Sequence, residues 1–239
     1  MNDKRPEIHT VDAPFVSDLV PTADGSATLH HPIYDQTYHS HHGAVTESKH
    51  VFLDHSGLQA RLAASPTSLL EIGIGTGLNL ALSASLALRE EGTLHYEGIE
   101  QFPPDTEALR ALDYARFPEI DAELWERCLH AFEHRLPALS LPNNGHILCH
   151  WTRFETLDLG EERFDIIYHD AFSPDVNPEL WTIEALTPII RAMKPGAVLV
   201  TYTVQGDVRR RLQSLGLEVE RLPGPVGGKR QVLRATRTL

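Results

Sequence analysis

Three carboxylates stand where an open α/β sheet does its chemistry: Glu71, Glu100 and Asp170 each lie at the end of a short, largely apolar run. Ligands of such sheets bind outside the carboxyl ends of the strands, so the three acids are expected on one rim. Behind Glu71 come Gly73, Gly75 and Gly77 at alternate positions, then Asn79 and a helical segment from Leu80 to Arg89. Glycines in such a turn permit positive φ and let a ligand approach the main chain. A dinucleotide site would want G-x-G-x-x-G, with phosphates on the helix N-terminus. This turn is E-x-G-x-G-x-G instead. A carboxylate there repels a pyrophosphate and attracts an ammonium, so the spacing favours S-adenosylmethionine over NAD. Glu100 is placed to accept hydrogen bonds from ribose hydroxyls. The plain alternatives are a tight strand-to-helix connection for the glycines and a strand-end charge facing water for Glu100.

The elements that must position these groups follow from periodicity and turn signals. At 239 residues the chain fits one large α/β domain. Strands are expected at 68–72, 93–100, 146–151, 164–170 and 197–203, with two more, 217–222 and 231–235, pairing around the loop 223–229. The continuous apolar run of the fourth suggests a strand buried on both faces. Helices are expected over 104–112, 178–193 and 207–215, and another from about Glu47 through Leu62 ahead of the first core strand. Residues 114–144 form an insertion with a helix over 119–134, broken up by Pro137, Pro142 and Asn143-Asn144-Gly145. Residues 1–36 lack clear periodicity and are expected to form an extended N-terminal arm, with a short hairpin near 26–33, leaving 37–239 as the main domain.

A net charge of −12 argues against non-specific nucleic-acid binding. Residues 201–239 run the other way, with eight basic residues (Arg209, Arg210, Arg211, Arg221, Lys229, Arg230, Arg234, Arg237) against Asp207, Glu218 and Glu220. Such a strip suits a structured RNA, or is a solvated helix face with a charged tail. No apolar run approaches the roughly 20 residues that span a bilayer, and the polar N-terminus is not a signal peptide, so a cytoplasmic protein without membrane contact is expected. Cys128 and Cys149 lack metal-ligand spacing and are expected as buried thiols. Histidines crowd between His30 and His55, but no H-E-x-x-H or paired cysteine cluster accompanies them. They are expected as exposed loop residues, and no metal is expected.

As a set, the residues from Glu71 to Asn79, the strand end from Tyr96 to Pro103, Asp170-Ala171-Phe172-Ser173-Pro174 with Asn177-Pro178-Glu179-Leu180-Trp181, and Gly228-Lys229-Arg230 resemble one bacterial family. It is the methyltransferase domain of the bifunctional tRNA enzyme that completes 5-methylaminomethyl-2-thiouridine at the wobble position. Upstream, Tyr38, Ser40, Glu47 and Val51-Phe52-Leu53 fit its pattern too. The resemblance implies a Rossmann-like fold, α/β, with a seven-stranded, mostly parallel sheet and helices on both faces, and S-adenosylmethionine as methyl donor. It implies donor contacts from Tyr38, Ser40, Glu47, Glu71, Gly73, Gly75, Gly77, Asn79, Glu100, Trp151 and Asp170. Around the acceptor it implies Asp170, Phe172, Ser173 and Pro174, and for tRNA phosphates Arg209, Arg210, Lys229 and Arg230. The chain departs from the family twice. The FAD-dependent oxidase half does not appear in the sequence, which implies a standalone form served by a separate enzyme that supplies the aminomethyl precursor. Where the family has Gly-Asp after the third strand, the acid lying near the adenine amino group, this chain has Trp151-Thr152; a stack on Trp151 or a contact from Glu155 are the alternatives.

Methyl transfer needs a neutral amine lone pair in line with the S–CH₃ bond. An alkyl amine is mostly protonated at neutral pH, so Asp170 is expected to orient the nitrogen and help remove its proton. The competing readings are a methyltransferase acting on a small molecule or protein, a module that binds S-adenosylmethionine without chemistry, and, less well matched to the glycine spacing, an NAD-linked oxidoreductase.

Overall fold

In the computed structural model, which describes residues 18–228 and 230–238, β1 (Asp18–Pro21), β2 (Ala27–His31) and β3 (Gln36–Thr37) pair antiparallel as a small sheet of their own. The expected extended arm is therefore folded from residue 18 onward, and the boundary expected after residue 36 falls inside β3. Its tight turn is held by the Asp24 carboxylate, which accepts from the Ser26 and Thr46 N–H groups at 3.0 and 2.9 Å. Leu29 on β2 is fully buried in the main core. Residues 1–17 lie outside the described residues.

α1 (Ala44–Ser48), a π-helical turn (Lys49–Asp54) and α2 (Leu58–Ala64) lead into the central sheet. β4 (Thr67–Ile72) is followed by α3 (Leu78–Arg89), β5 (Leu94–Ile99) by α4 (Thr106–Ala111) and α5 (Ala122–Glu133). β6 (Ala138–Ser140), β7 (His146–His150) and β8 (Phe164–His169) come next, and then α6 (Ile183–Ala192), β9 (Met193–Thr201), α7 (Gly206–Ser214), β10 (Leu217–Pro223) and β11 (Gln231–Arg237). The spatial order is β10-β11-β9-β8-β4-β5-β7-β6. The five strands β9, β8, β4, β5 and β7 run parallel, and β6, β10 and β11 are antiparallel. The chain winds outward in both directions from the adjacent pair β4 and β8, which opens a crevice at their carboxyl ends.

The sheet thus has eight strands rather than the expected seven. The extra one is β6, whose three residues are too short to carry an alternation pattern. Pro142, Asn143, Asn144 and Gly145, expected as breakers, are the turn that joins β6 to β7: Gly145 donates to the Pro142 carbonyl at 3.0 Å and Leu141 to the Gly145 carbonyl at 2.9 Å, with both asparagines at positive φ.

Two hydrophobic clusters sandwich the sheet. Leu69, Tyr96, Ile166 and Tyr168 face α3 and α5, whereas Leu70, Ile72, Ile167 and Leu199 face α6 and α7. Alternate residues of one strand thus enter opposite clusters, which is what burial on both faces requires. α3 is buried from Leu78 through Ala87, so it has no solvent stripe to display. The insertion is tied to α3 at both ends of the turn before α5: Arg89 donates to the Glu119 carbonyl, Ser85 Oγ accepts the Asp121 N–H at 2.8 Å, and the Asp121 carboxylate caps α5 by accepting from Leu124 at 2.8 Å. Cys128 and Cys149 are free and buried, and burial pushes both thiols up to about 12. No helix among the described residues is long and apolar enough to cross a membrane.

Candidate active site

Two of the three acids, Glu100 and Asp170, reach one rim because the hydrogen-bond ladder runs one residue past the strand ends. Gly73 donates to Ile99, Asp170 to Ile72 and Glu100 to His150, each at 3.0 Å. Gly73, Glu100 and Asp170 therefore stand side by side across β4, β5 and β8. The backbone turn is equally constrained: a Cβ on Gly73 would lie 2.9 Å from the Asp170 carbonyl oxygen, and one on Gly75 2.9 Å from the Tyr38 ring. Glu100 folds back over this turn, its Oε2 accepting from Gly75 at 2.9 Å and its Oε1 from Phe102 at 2.8 Å. Burial raises the Glu100 pKa, and the N–H groups of Gly75, Phe102 and Gln101 oppose that shift. The carboxylate keeps acceptor capacity beyond these bonds, which suits a ribose hydroxyl.

Glu71 is placed differently from its neighbours. It is 0% exposed and lies behind the wall, not on it. Its Oε1 accepts from Asn79 Nδ2 at 2.8 Å and its Oε2 from the Tyr96 hydroxyl; the same Asn79 nitrogen donates to Asp170 Oδ2 at 2.8 Å. Burial pushes the Glu71 carboxyl up to about 8, against the pull of its hydrogen bonds from Tyr96 and Asn79. That shift favours the folded state as pH falls from about 8 towards 4.5, because the folded chain then binds a proton that the unfolded chain does not. His39 and His169 act in the opposite sense. Burial pushes both rings down to about 4, so stability is lost as pH falls from 6.5 towards 4. In the unsubstituted chain the Glu71 contribution acts alone between pH ~8 and ~6.5 and below that opposes the larger loss from the buried histidines, to which His31, also pushed down to about 4, adds. Glu71→Gln is therefore expected to lower the melting temperature more steeply on acidification than the unsubstituted chain. Parallel melting curves across that range would refute the assignment.

The cleft in front of this rim has a volume of about 1810 Å³. Small-molecule pockets typically run roughly 300–1,000 Å³, so the space holds two reactants. One wall is the glycine turn with Glu100. The opposite wall is the loop after β8, in which Phe172 packs against Tyr34, Tyr38 and His31 with ring centroids at 4.6, 5.0 and 5.1 Å. Gln36 donates to Ser173 Oγ at 2.9 Å, the Trp181 indole N–H to the Phe172 carbonyl at 2.8 Å, and the Tyr202 hydroxyl to the Ala171 carbonyl at 2.9 Å. His31, Tyr34, Gln36 and Tyr202 are cleft residues that the sequence did not flag. The segment of the first three has no helical or strand period long enough to register, and only the folding of β1 to β3 over the strand ends brings them there; Tyr202 directly follows β9. Acids predominate in the lining, with Asp35, Glu47, Glu100, Glu155, Asp170, Asp175 and Glu179 against Arg153 among the described residues.

Of the residues expected at the donor, Tyr38, Ser40, Glu47, Gly73, Gly75, Glu100 and Asp170 line the cleft. Ser40 and Glu47 are joined, the Ser40 N–H donating to Glu47 Oε2 at 2.8 Å. Gly77 starts α3 and lies against Phe132, where a Cβ would come within 3.0 Å. Trp151 turns away: its indole N–H donates to the Leu136 carbonyl at 3.0 Å, and its ring packs edge-on against Phe132. Thr152 and Glu155 face the cleft in its stead. Around the acceptor position, Asp170, Phe172 and Ser173 line the cleft and Pro174 lies beside them without facing it.

The histidine-rich stretch is largely structural. His31 and His39 are buried rather than exposed, His39 bonding Thr76 Oγ1 at 2.8 Å, and His50 and His55 both donate to the Pro223 carbonyl at 2.9 Å, which anchors the loop before β11. Among the described residues one set of side chains has metal-ligand proximity, His130, Glu133 and His134 at the exposed end of α5. It has no connection to the cleft. The basic residues of 201–239 are dispersed: Arg210 pairs with Asp207, Arg234 with Glu220 and Arg237 with Glu162, while Arg211 donates to the Trp181 carbonyl. Arg209 is half-buried on α7 and Arg230 is exposed beyond Gly228, which lines the cleft; Lys229 lies outside the described residues.

Known proteins share this architecture. Residues 147–238 match the model of a family described as S-adenosyl-L-methionine-dependent methyltransferase. The chain is 35% identical over 214 residues to the "tRNA 5-methylaminomethyl-2-thiouridine biosynthesis bifunctional protein MnmC" of Ectopseudomonas mendocina, a match covering 84% of this chain and 32% of that protein. With the MnmC of an Azoarcus species it is 36% identical, over 84% of this chain and 33% of that protein. It thus spans about a third of the length of these curated relatives. The crystal structure of MnmC2 from Aquifex aeolicus superposes with a TM-score of 0.72 at 27% identity, covering 94% of this chain and 71% of that one. Spermidine synthase from Thermotoga maritima shares the fold alone, with a TM-score of 0.52 at 13% identity. The chain has the fold of S-adenosyl-L-methionine-dependent methyltransferases and is similar to about one third of the MnmC proteins.

Proposed function

We propose that this chain methylates the primary amine of 5-aminomethyl-(2-thio)uridine at the tRNA wobble position, giving the 5-methylaminomethyl product, in the cytoplasm where tRNA is found. The observation that carries the reading is the rim on which Glu100 and Asp170 flank the glycine turn, opposite an aromatic wall, in a chain related to MnmC. S-adenosylmethionine supplies a methyl group on a sulfonium. The site fits it: Gly73 and Gly75 present bare backbone to the cleft, the Glu100 carboxylate suits ribose hydroxyls, and an acid-rich lining favours a ligand bearing sulfonium and ammonium charges. Asp170 orients the acceptor nitrogen and takes its proton, which leaves a lone pair for the methyl carbon. The aromatic group of Tyr34, Tyr38 and Phe172 excludes water from that nitrogen and offers ring faces to the uracil.

An acid-lined cleft repels phosphates, so the tRNA backbone must lie outside it. Arg209, Arg210 and Arg230, with Lys229, are the residues proposed to hold phosphates by charge-assisted bonds. Methyl incorporation from labelled donor into undermodified tRNA is the direct test. Neutralising Arg209 and Arg230 together is expected to weaken tRNA binding and to reduce its salt slope by about 1 to 2. An unchanged slope removes RNA from this surface. The acid lining also favours a second reading, transfer to a small cationic amine, and the same assay run against a panel of free amines separates the two.

A further inference from the structure

Asn79 and Glu71 were expected to touch the donor, yet neither lines the cleft. Asn79 is 2% exposed in the first turn of α3, and its Nδ2 is committed twice, to Glu71 Oε1 and to Asp170 Oδ2, both at 2.8 Å. A flipped amide would aim its oxygen at the Asp170 carboxylate oxygen, and that repulsion sets the orientation. Glu71 is fixed in turn by the Tyr96 hydroxyl from the neighbouring strand. The result is a buried line from Tyr96 through Glu71 and Asn79 to Asp170, the group that meets the acceptor in the reading above.

We propose that Asn79 is a positioning residue for methyl transfer, its amide, oriented by Glu71, holding the Asp170 side chain in the rotamer that meets the acceptor nitrogen. The proposal rests on the role given to Asp170 under Proposed function. The ladder bond from Asp170 N–H to Ile72 fixes the backbone there, and the Asn79 bond acts on the carboxylate itself. Around Glu71 stand Tyr96 on β5, Tyr168 on β8, Cys149 on β7 and Glu100 on the rim, while Tyr202 after β9 faces Asp170 together with Glu47 on α1 and Asp175 in the loop after β8.

The test compares Asn79→Ala and Asn79→Ser with Glu71→Ala and Glu71→Gln. In both Asn79 variants kcat is expected to fall about 10- to 100-fold, the size of effect that a misplaced reacting group produces. The dissociation constant for S-adenosylhomocysteine should stay within about 3-fold. The acid limb of the kcat profile should move to higher pH, because a carboxylate that loses a donor is more readily protonated. Glu71→Gln keeps an acceptor for the Asn79 amide and should retain several-fold more turnover than Glu71→Ala. A loss of donor affinity matching the loss of kcat, or an unmoved pH limb, overturns the proposal and makes Asn79 a donor ligand or a packing residue. Carboxyl-carbon NMR titration of Asp170 in the unsubstituted chain and in Asn79→Ser needs no acceptor. If methyl transfer to tRNA is not found, a displaced Asp170 titration still upholds the pairing, and coincident titrations refute it.

Discussion

Asp170→Ala is expected to reduce methyl transfer about 10³-fold while S-adenosylhomocysteine binds within a few-fold of the unsubstituted chain. The size of the loss follows from two functions lodged in one carboxylate. Proton removal by a positioned base contributes roughly 10²- to 10⁴-fold, and orientation of the nitrogen adds to it. Donor affinity should survive because the glycine turn and Glu100 are held by backbone bonds that do not involve the Asp170 side chain. Asp170→Asn separates the two functions. It keeps the shape and one hydrogen-bonding oxygen but cannot take a proton, so it should resemble Asp170→Ala if proton removal dominates and should recover part of the rate if orientation does. Single-turnover kinetics with labelled donor, alongside calorimetry of donor product, measure both quantities. Near-normal turnover in Asp170→Ala would remove this residue from the reaction.

Gly73→Ala should be the most damaging single-methyl change at the site. Gly73 has φ +88°, and a Cβ built on it lies 2.9 Å from the Asp170 carbonyl oxygen and 3.2 Å from the carbonyl carbon. A left-handed residue with a Cβ costs about 1–2 kcal/mol before any clash is counted. The contact is with backbone, which cannot swing aside as a side chain does. Either the turn or the end of β8 must shift, and the latter carries Asp170. A stability loss of about 2–3 kcal/mol is expected, seen as a melting temperature lower by roughly 5–10 °C for a chain of this size. Turnover should fall further than folding, on the order of 10²-fold, since a displacement of about 1 Å of the reacting group has that cost. Gly196 in the β9 region also has positive φ but open space around its Cβ position, so Gly196→Ala pays only the conformational cost and serves as the control. Equal effects at the two positions would show that the Asp170 contact is irrelevant.

Much of the site lies along single strands and turns, and that part is legible from the chain alone. Glu71, Glu100 and Asp170 each end an apolar run, and parallel pairing in register converts three strand ends into one rim. The glycine spacing likewise dictates a turn with positive φ at Gly73, Gly75 and Gly77. These are local or nearest-neighbour properties, with a period or a spacing to betray them. The eighth strand escaped because three residues carry no period.

Only the tertiary structure separates residues that share a motif but not a direction. Glu71 belongs to the rim by sequence, yet strand alternation turns its side chain inward, to Tyr96 and Asn79, while Glu100 and Asp170, one residue past their strands, are released into the cleft. Trp151 has the right position and the wrong direction, because Leu136 offers its indole a carbonyl and Phe132 a ring edge. Half of the aromatic wall was invisible for a related reason: Tyr34 and Gln36 lie more than a hundred residues from Phe172 and Ser173 in the chain and join them only when a short antiparallel sheet folds over the strand ends. Sequence thus determined which groups reach the rim, since backbone pairing fixes where strands end; which way each side chain faces was decided by the neighbours that packing supplies.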